Sequence, residues 1–358
     1  MKIMYFSLVG WNWIKQRPHF IAEGLAENMK RIDYISVFPI FKSKIKKEFI
    51  KRNLFVKEFW VFPFSLKFKI IRVINKFLFN LKIDLKKYDV IILTHPAQIE
   101  YLREREKKNC KIIYDCMDNI PEFYDRKIKD KIILFEKELV EIASEIIVSS
   151  VTLKKNLLER YRIEKKEINV INNAVADIQI DKIKKIKLKQ PNLVYIGTID
   201  KWLDIETLEK FAKDNPRYTI YLVGPNKLKI QQIFSKNIVF YGSINHENVF
   251  SFIKSSDILL IPFKLNNLIK AVDPVKIYEY ITLNTNIIST KWTEISKFKY
   301  SNLYFYNTYE EFENNVKKIK IKEYNTSINK KFLKKNNWQC RLGEYSKILN
   351  NINKKIKE

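Results

Sequence analysis

The stretch Asp273-Pro274-Val275-Lys276-Ile277-Tyr278-Glu279-Tyr280 holds the chain's most informative spacing for chemistry. Asp followed by Pro reads as a helix start, with Asp273 as the cap and Pro274 in the first turn, where its missing N–H costs nothing. Lys276 and Glu279 are three apart and fall on one face of that helix. A helix N-terminus at the carboxyl edge of a parallel sheet attracts phosphate. Lys276 adds a mobile positive charge for a diphosphate, and Glu279 offers a carboxylate to ribose hydroxyls. Together they read as a grip for a nucleotide sugar. The same spacing also describes a surface helix with an i,i+3 ion pair.

Glycine placement points the same way. The chain has only six glycines in 358 residues, where average usage of roughly 7% would give about 25. Gly10 follows the first apolar run, and Gly197, Gly224 and Gly242 end the runs LVYIG, TIYLVG and NIVFYG. A sequence this poor in glycine keeps it where a turn or a close backbone approach needs it. Gly24 reads as helix packing, and Gly343 lies in the tail. Two more side chains stand where a strand-like run ends: His95 after DVIILT, and Asp118 just past KIIYD. His19 and His246 read as structural. Cys110, Cys116 and Cys340 fall in no metal-binding or disulfide spacing, which favours a reducing compartment.

These residues need elements to hold them. Near-continuous apolar runs read as strands at Lys2–Leu8, Asp33–Phe38, Asp89–Thr94, Lys111–Asp115 and Glu145–Ser149, as expected for strands buried on both faces of a parallel sheet. Helical patterns separate them at Arg17–Lys30, Gln98–Lys107, Lys127–Ala143 and Ser150–Arg160. Ala176–Gln190 is polar and Lys-rich and reads as a linker. The rhythm then restarts. Strands are expected at Asn192–Ile196, Tyr218–Val223, Ile238–Tyr241, Asp257–Ile261 and Asn286–Ser289, with helices at Asp204–Lys213, Glu247–Lys254 and Pro274–Leu283. The order β-α-β-α predicts an α/β protein of two doubly wound, Rossmann-like domains, residues 1–175 and 191–335, joined by linker 176–190 and followed by a helical tail 336–358. Ligands of such sheets bind beyond the carboxyl ends of the strands, and two facing sheets would form a cleft suited to a two-substrate reaction.

Composition excludes several classes. Hydrophobic content of 46% with 14% aromatic residues is too high for disorder. The net charge of +27 invites a nucleic-acid reading, but of the 67 basic residues only 11 are Arg, the excess is diffuse, and no finger, RRM or helix-turn-helix pattern occurs. No cleavable leader is visible after Met1–Val9, and no uncharged run reaches the roughly 18 residues of a membrane span. A cytoplasmic protein is expected.

The blocks of motif, taken in order, resemble a known family: bacterial GT-B glycosyltransferases of polysaccharide biosynthesis that use nucleotide sugars. The similar subset opens with W-x-x-x-x-QRP, here Trp11 to Pro18, and carries a YDCMD block, here Tyr114 to Asp118. It also has the VGP turn Val223-Gly224-Pro225, an IPF-x-LN strand and loop from Ile261 to Asn266, and the P-x-K-x-x-EY helix. Gly197-Thr198-Ile199-Asp200 resembles the first turn of its second domain, and Trp338 the residue that starts a last helix crossing back onto the first domain. Two departures stand out. Ala271 occupies the place of a first donor-side glutamate, and Asn284-Thr285-Asn286 replaces the usual glycine after the donor helix.

The resemblance implies transfer of a glycosyl unit from a nucleoside-diphosphate sugar, with UDP favoured, to a saccharide or a polyprenyl-linked saccharide, with retention of configuration. Lys276, the helix start at Pro274 and the backbone near Gly197 and Thr198 would offset the charge of the leaving diphosphate, helped by Lys201 or Lys270. Asp273 is a candidate for gripping the transferred sugar. Gly224, Pro225 and Asn226 form the turn where the base would sit. Gly10 and Arg17 would border the cleft, with Arg17 reaching a phosphate of donor or acceptor. His95 would meet the transferred sugar, and Asp118 would contact the acceptor or act as base. No Asp-x-Asp motif occurs, so neither metal nor other cofactor is expected. A non-catalytic GT-B partner, an epimerase and a phosphorylase remain alternatives. Finally, Phe41–Lys87 is dense in lysine and aromatics, and LKFKIIRVINKFLFNLK can form a basic amphipathic helix for the inner face of an anionic membrane.

Overall fold

The computed structural model describes residues 1–40, 47–176, 183–228, 235–319 and 328–357. The chain divides into two units: Met1–Asn173 together with Trp338–Glu358, and Ala174–Asn337.

The first unit is built on β1 (Lys2–Ser7), β2 (Arg31–Pro39), β3 (Lys47–Lys51), β4 (Leu54–Val61), β5 (Val90–Leu93), β6 (Lys111–Cys116), β7 (Glu145–Val148) and β8 (Ile168–Val170). They form one sheet in the order β3-β4-β2-β1-β5-β6-β7-β8. Every pairing is parallel except β3 with β4. β5, with all four residues buried, and β6, with five of six, are the doubly covered strands their apolar runs announced. Helix Arg17–Asn28 packs on the final helix Trp338–Lys357: Phe20 stacks on Trp338 with ring centroids 5.0 Å apart, and Leu342 fills the space a Cβ on Gly24 would need.

The second unit has β9 (Asn192–Ile196), β10 (Thr219–Val223), β11 (Ile238–Gly242), β12 (Ile258–Ile261), β13 (Ile287–Thr290) and β14 (Leu303–Tyr306). The order is β11-β10-β9-β12-β13-β14, parallel throughout. Apolar clusters fill both faces, one around Val194, Leu259 and Ile277, the other around Leu193, Phe211 and Phe312.

Three sequence expectations differ from the structure. The helix expected over Gln98–Lys107 is a 3-10 turn, Pro96–Tyr101, followed by a short helix, Glu104–Asn109. The Gln98 carboxamide oxygen accepts from the Thr94 and His95 backbone N–H groups at 2.8 and 3.0 Å and closes a tight turn. Extended backbone at Leu102 and Arg103 then separates the two pieces. The C-terminal part of the expected linker 176–190 is packed rather than loose. Residues 177–182 lie outside the described part, and Ile183, Ile186 and Leu188 pack on the core of the second unit. The spaced isoleucines and leucine give this lysine-rich stretch an apolar edge. Lastly, β3, β4, β8 and β14 are strands the sequence pattern did not mark.

Candidate functional site

In the second unit, the loops that leave β9, β10 and β12 are tied together at the carboxyl edge of the sheet. The Ile199 N–H donates to the Pro225 carbonyl and the Lys227 N–H to the Ile199 carbonyl, each at 2.9 Å, joining the loops after β9 and β10. On the other side, Lys264 N–H reaches Trp202 and Asp204 N–H reaches Pro262, each at 2.8 Å, joining the loops after β9 and β12. Gly224 makes this possible. It adopts φ +143°, and a Cβ there would lie 2.0 Å from the Gly197 carbonyl oxygen. Gly197, Thr198, Gly224, Pro225 and Asn226 are therefore brought together, as the sequence indicated. Lys201 and Lys270 are exposed on this same set of loops.

The helix that follows β12 runs Val275–Thr282, with Pro274 at its N-cap. Asp273 does not cap it, contrary to expectation. Its buried carboxylate instead accepts from the Tyr278 hydroxyl at 3.0 Å and from Lys297 at 2.8 Å. The reason is geometric: Pro274 itself takes the capping position, which puts Asp273 one residue too early. Lys297 was not marked by any motif; only a place in the next helix-and-turn segment would have drawn attention to it. Lys276 and Glu279 make the i,i+3 pair at 2.8 Å, with Glu279 buried and the ammonium half-buried over it. Cation and carboxylate thus sit at one helix N-terminus, beside the three tied loops.

In the first unit, Arg17 is not a phosphate ligand awaiting a partner. It is buried, pairs with Asp115 at 3.2 Å, and donates to the Ile171 carbonyl at 2.8 Å and the Tyr345 hydroxyl at 3.0 Å. Asp115 pushes its pKa further up. The arginine fastens the first helix to β6 and to the final helix. Gly10 is likewise interior: a Cβ there would meet the Phe38 ring at 2.3 Å, and its carbonyl faces His19 Nε2 at 3.1 Å. His19 is structural, as expected. The side chain of His246 lies outside the described residues.

His95 and Asp118 behave differently from one another. His95 is buried at the start of the 3-10 turn. Its Nδ1 accepts from the Ala97 N–H at 3.1 Å, so Nε2 carries the proton and donates to the Tyr124 hydroxyl at 3.0 Å. Burial lowers its pKa to about 3, so the ring is a neutral hydrogen-bonding group rather than a proton shuttle. It lines a cavity of about 150 Å³ with Gln98, Tyr124, Arg72, Leu8 and Val61. The Gln98 side-chain N–H group is buried there without a partner. Asp118, half-buried past the end of β6, has its pKa raised to about 7 by burial, partly offset by the charge of Arg17. A carboxylate titrating near neutrality is equipped to take a proton.

The comparisons agree with this architecture. The lipopolysaccharide outer core galactosyltransferase WaaB superposes with a TM-score of 0.63 at 14% identity, covering 98% of this chain and 99% of that one. HepE of Anabaena, solved with UDP and glucose, superposes at 0.64 and 13% identity over 98% and 99%. The fold is GT-B. In sequence, the chain is 22% identical over 219 residues to TuaH of Bacillus subtilis, a putative teichuronic acid biosynthesis glycosyltransferase, covering 55% of this chain and 54% of that one. It is also 22% identical over 196 residues to an uncharacterised 41.2 kDa protein of the Klebsiella pneumoniae cps region, covering 51% and 54%. The chain spans about half the length of the curated relatives it matches. No protein-family model matches it. The chain is thus similar in sequence to proteins of polysaccharide biosynthesis and in fold to GT-B glycosyltransferases.

Proposed function

We propose that the protein is a glycosyltransferase of cell-surface polysaccharide biosynthesis. It transfers a sugar from a nucleoside-diphosphate donor, UDP-linked, to a saccharide or lipid-linked saccharide, with retention and without a metal. The observation that carries this reading is the Lys276–Glu279 pair at the N-terminus of helix Val275–Thr282, beside the loops tied through Gly197 and Gly224. When a diphosphate arrives, Lys276 turns to the phosphate, and the Glu279 carboxylate accepts from ribose hydroxyls. Lys201, Lys270 and the helix N-terminus supply the remaining positive charge for the leaving group. Asp273, already engaged with Lys297 and Tyr278, positions the helix rather than gripping the sugar. Asp118 takes the acceptor role, as contact or as base. The UDP complexes of HepE and the names of the sequence relatives, teichuronic acid and a cps region, support the donor and the pathway class.

The test is nucleoside diphosphate release with a panel of nucleotide sugars. Wild type is expected to turn over at least one donor. Lys276→Ala is expected to lose about 10²–10³-fold in kcat, and Glu279→Gln about 10–100-fold in kcat/KM, with circular dichroism verifying that each variant still folds. No release with any donor, or full activity in both variants, overturns the assignment.

A further inference from the structure

Helix Lys69–Lys82 is turned inside out relative to an ordinary surface helix. At about 100° per residue, Ile70, Val73, Ile74, Phe77 and Leu81 fall in one arc of roughly 100°. That arc faces outward: Ile70 is 70% exposed, Val73 58%, Phe77 63% and Leu81 68%. The inward face is anchored by a polar group. The Asn75 carboxamide is buried, accepting from the Phe62 N–H at 2.8 Å and donating to the Phe62 carbonyl at 2.9 Å. Phe79 packs beside it on Phe6 and Tyr101, and Arg72 pairs with Glu100 at 3.0 Å. The orientation is therefore fixed, and the apolar stripe has no place to turn. Just ahead of the helix, Phe64 and Phe68 are exposed as well.

Charge says what covers the stripe. Between residues 62 and 87 the chain carries seven Lys and Arg against a single acid, Asp84. On the helical projection Lys69 and Lys76 flank one side of the stripe and Lys82 the other. An apolar stripe bordered by lysines suits neither a dry core nor plain water. It suits an interface where apolar side chains enter acyl chains and ammonium groups meet phosphates. We propose that this face beds into the headgroup region of an anionic bilayer. The helix has 14 residues and does not cross; among the described residues no helix is long and apolar enough to span a membrane. Ser65 and Leu66, just ahead of the helix, and Arg72, on its inner side, also wall the cavity of His95 and Gln98. A lipid-anchored acceptor held at the surface would meet that cavity. This deepens the lipid-linked acceptor of the proposed function, and vesicle binding reads it apart from transfer.

The experiment is flotation of the full chain at physiological salt with vesicles of phosphatidylcholine containing phosphatidylglycerol, and with phosphatidylcholine alone. Two double variants are compared with wild type: Val73→Glu with Phe77→Glu, and Lys69→Glu with Lys76→Glu. Circular dichroism and melting verify that both keep the fold, since all four side chains lie off the buried face. The wild type is expected to float with the anionic vesicles only, and each variant to lose about tenfold or more of that binding. Failure of the wild type to float, or flotation unchanged in both variants, overturns the proposal. So does a concentration-dependent dimer that Val73→Glu with Phe77→Glu dissociates, because a second copy would then be the occupant.

Discussion

Replacing Arg17 by Met separates a structural arginine from a phosphate ligand. The guanidinium pairs with Asp115 at 3.2 Å and donates to Ile171 at 2.8 Å and Tyr345 at 3.0 Å. Met retains much of the apolar stem and removes the charge. Asp115 is then left fully buried with the Tyr5 hydroxyl at 2.8 Å and no cation. Removing one partner of a buried ion pair costs about 3–5 kcal/mol, because the other charge is left uncompensated. In a unit of this size each kcal/mol moves the midpoint by about 2–4 °C, so the first unit should melt roughly 6–20 °C lower. Calorimetry with near-ultraviolet circular dichroism resolves its transition from that of the second unit. Adding Asp115→Leu should return most of the loss, since a buried pair replaced by apolar groups is often near neutral. UDP affinity should not change. A variant with an unaltered first transition and weakened donor binding would refute the assignment and restore Arg17 to the phosphate.

Two further outcomes follow from the geometry. Gly224→Ala should destabilise the second unit by about 2–4 kcal/mol through its positive φ and the clash with the Gly197 carbonyl, read as a lower urea midpoint; an unchanged midpoint would mean the two loops are not tied as described. Asp118, with its pKa raised to about 7, should give activity an acidic limb that rises with pH through about 7 and disappears in Asp118→Asn, together with a rate loss of about 10²–10⁴-fold. The sign for stability is opposite. Between about pH 4 and 7 the folded state holds a proton the unfolded chain has lost, so this group's contribution falls as pH rises, and Asp118→Asn should flatten that dependence in pH-dependent melts.

The fold was legible because buried parallel strands leave uninterrupted apolar runs: VIIL of β5 and ILLI of β12 have no other simple reading. The tied loops were legible through Gly197 and Gly224, since a chain with six glycines places few of them idly. Arg17 was misread because spacing reports where a residue lies along the chain, while its partners Asp115 and Tyr345 come from 98 and 328 positions away. Asp273 was misread for a local reason, the one-residue offset introduced by Pro274. The amphipathic pattern of Lys69–Lys82 was visible in the sequence, but periodicity cannot say which face turns inward. Asn75 decides that, through hydrogen bonds to Phe62 that no pattern of hydrophobicity encodes.

The chain leaves the first unit at Asn173 and returns to it at Trp338. During synthesis the second unit is therefore complete before the first. Until the last helix emerges, Phe20 lacks Trp338, Gly24 faces no Leu342, and Arg17 with Asp115 waits without Tyr345. Translation order and completion order are reversed, unlike the usual N-terminal-first sequence of domain folding. A nascent chain stalled before Trp338 would carry a finished second unit and an open seam along its first helix. The apolar surface of that seam is what a chaperone would find, and the final helix is what would displace it.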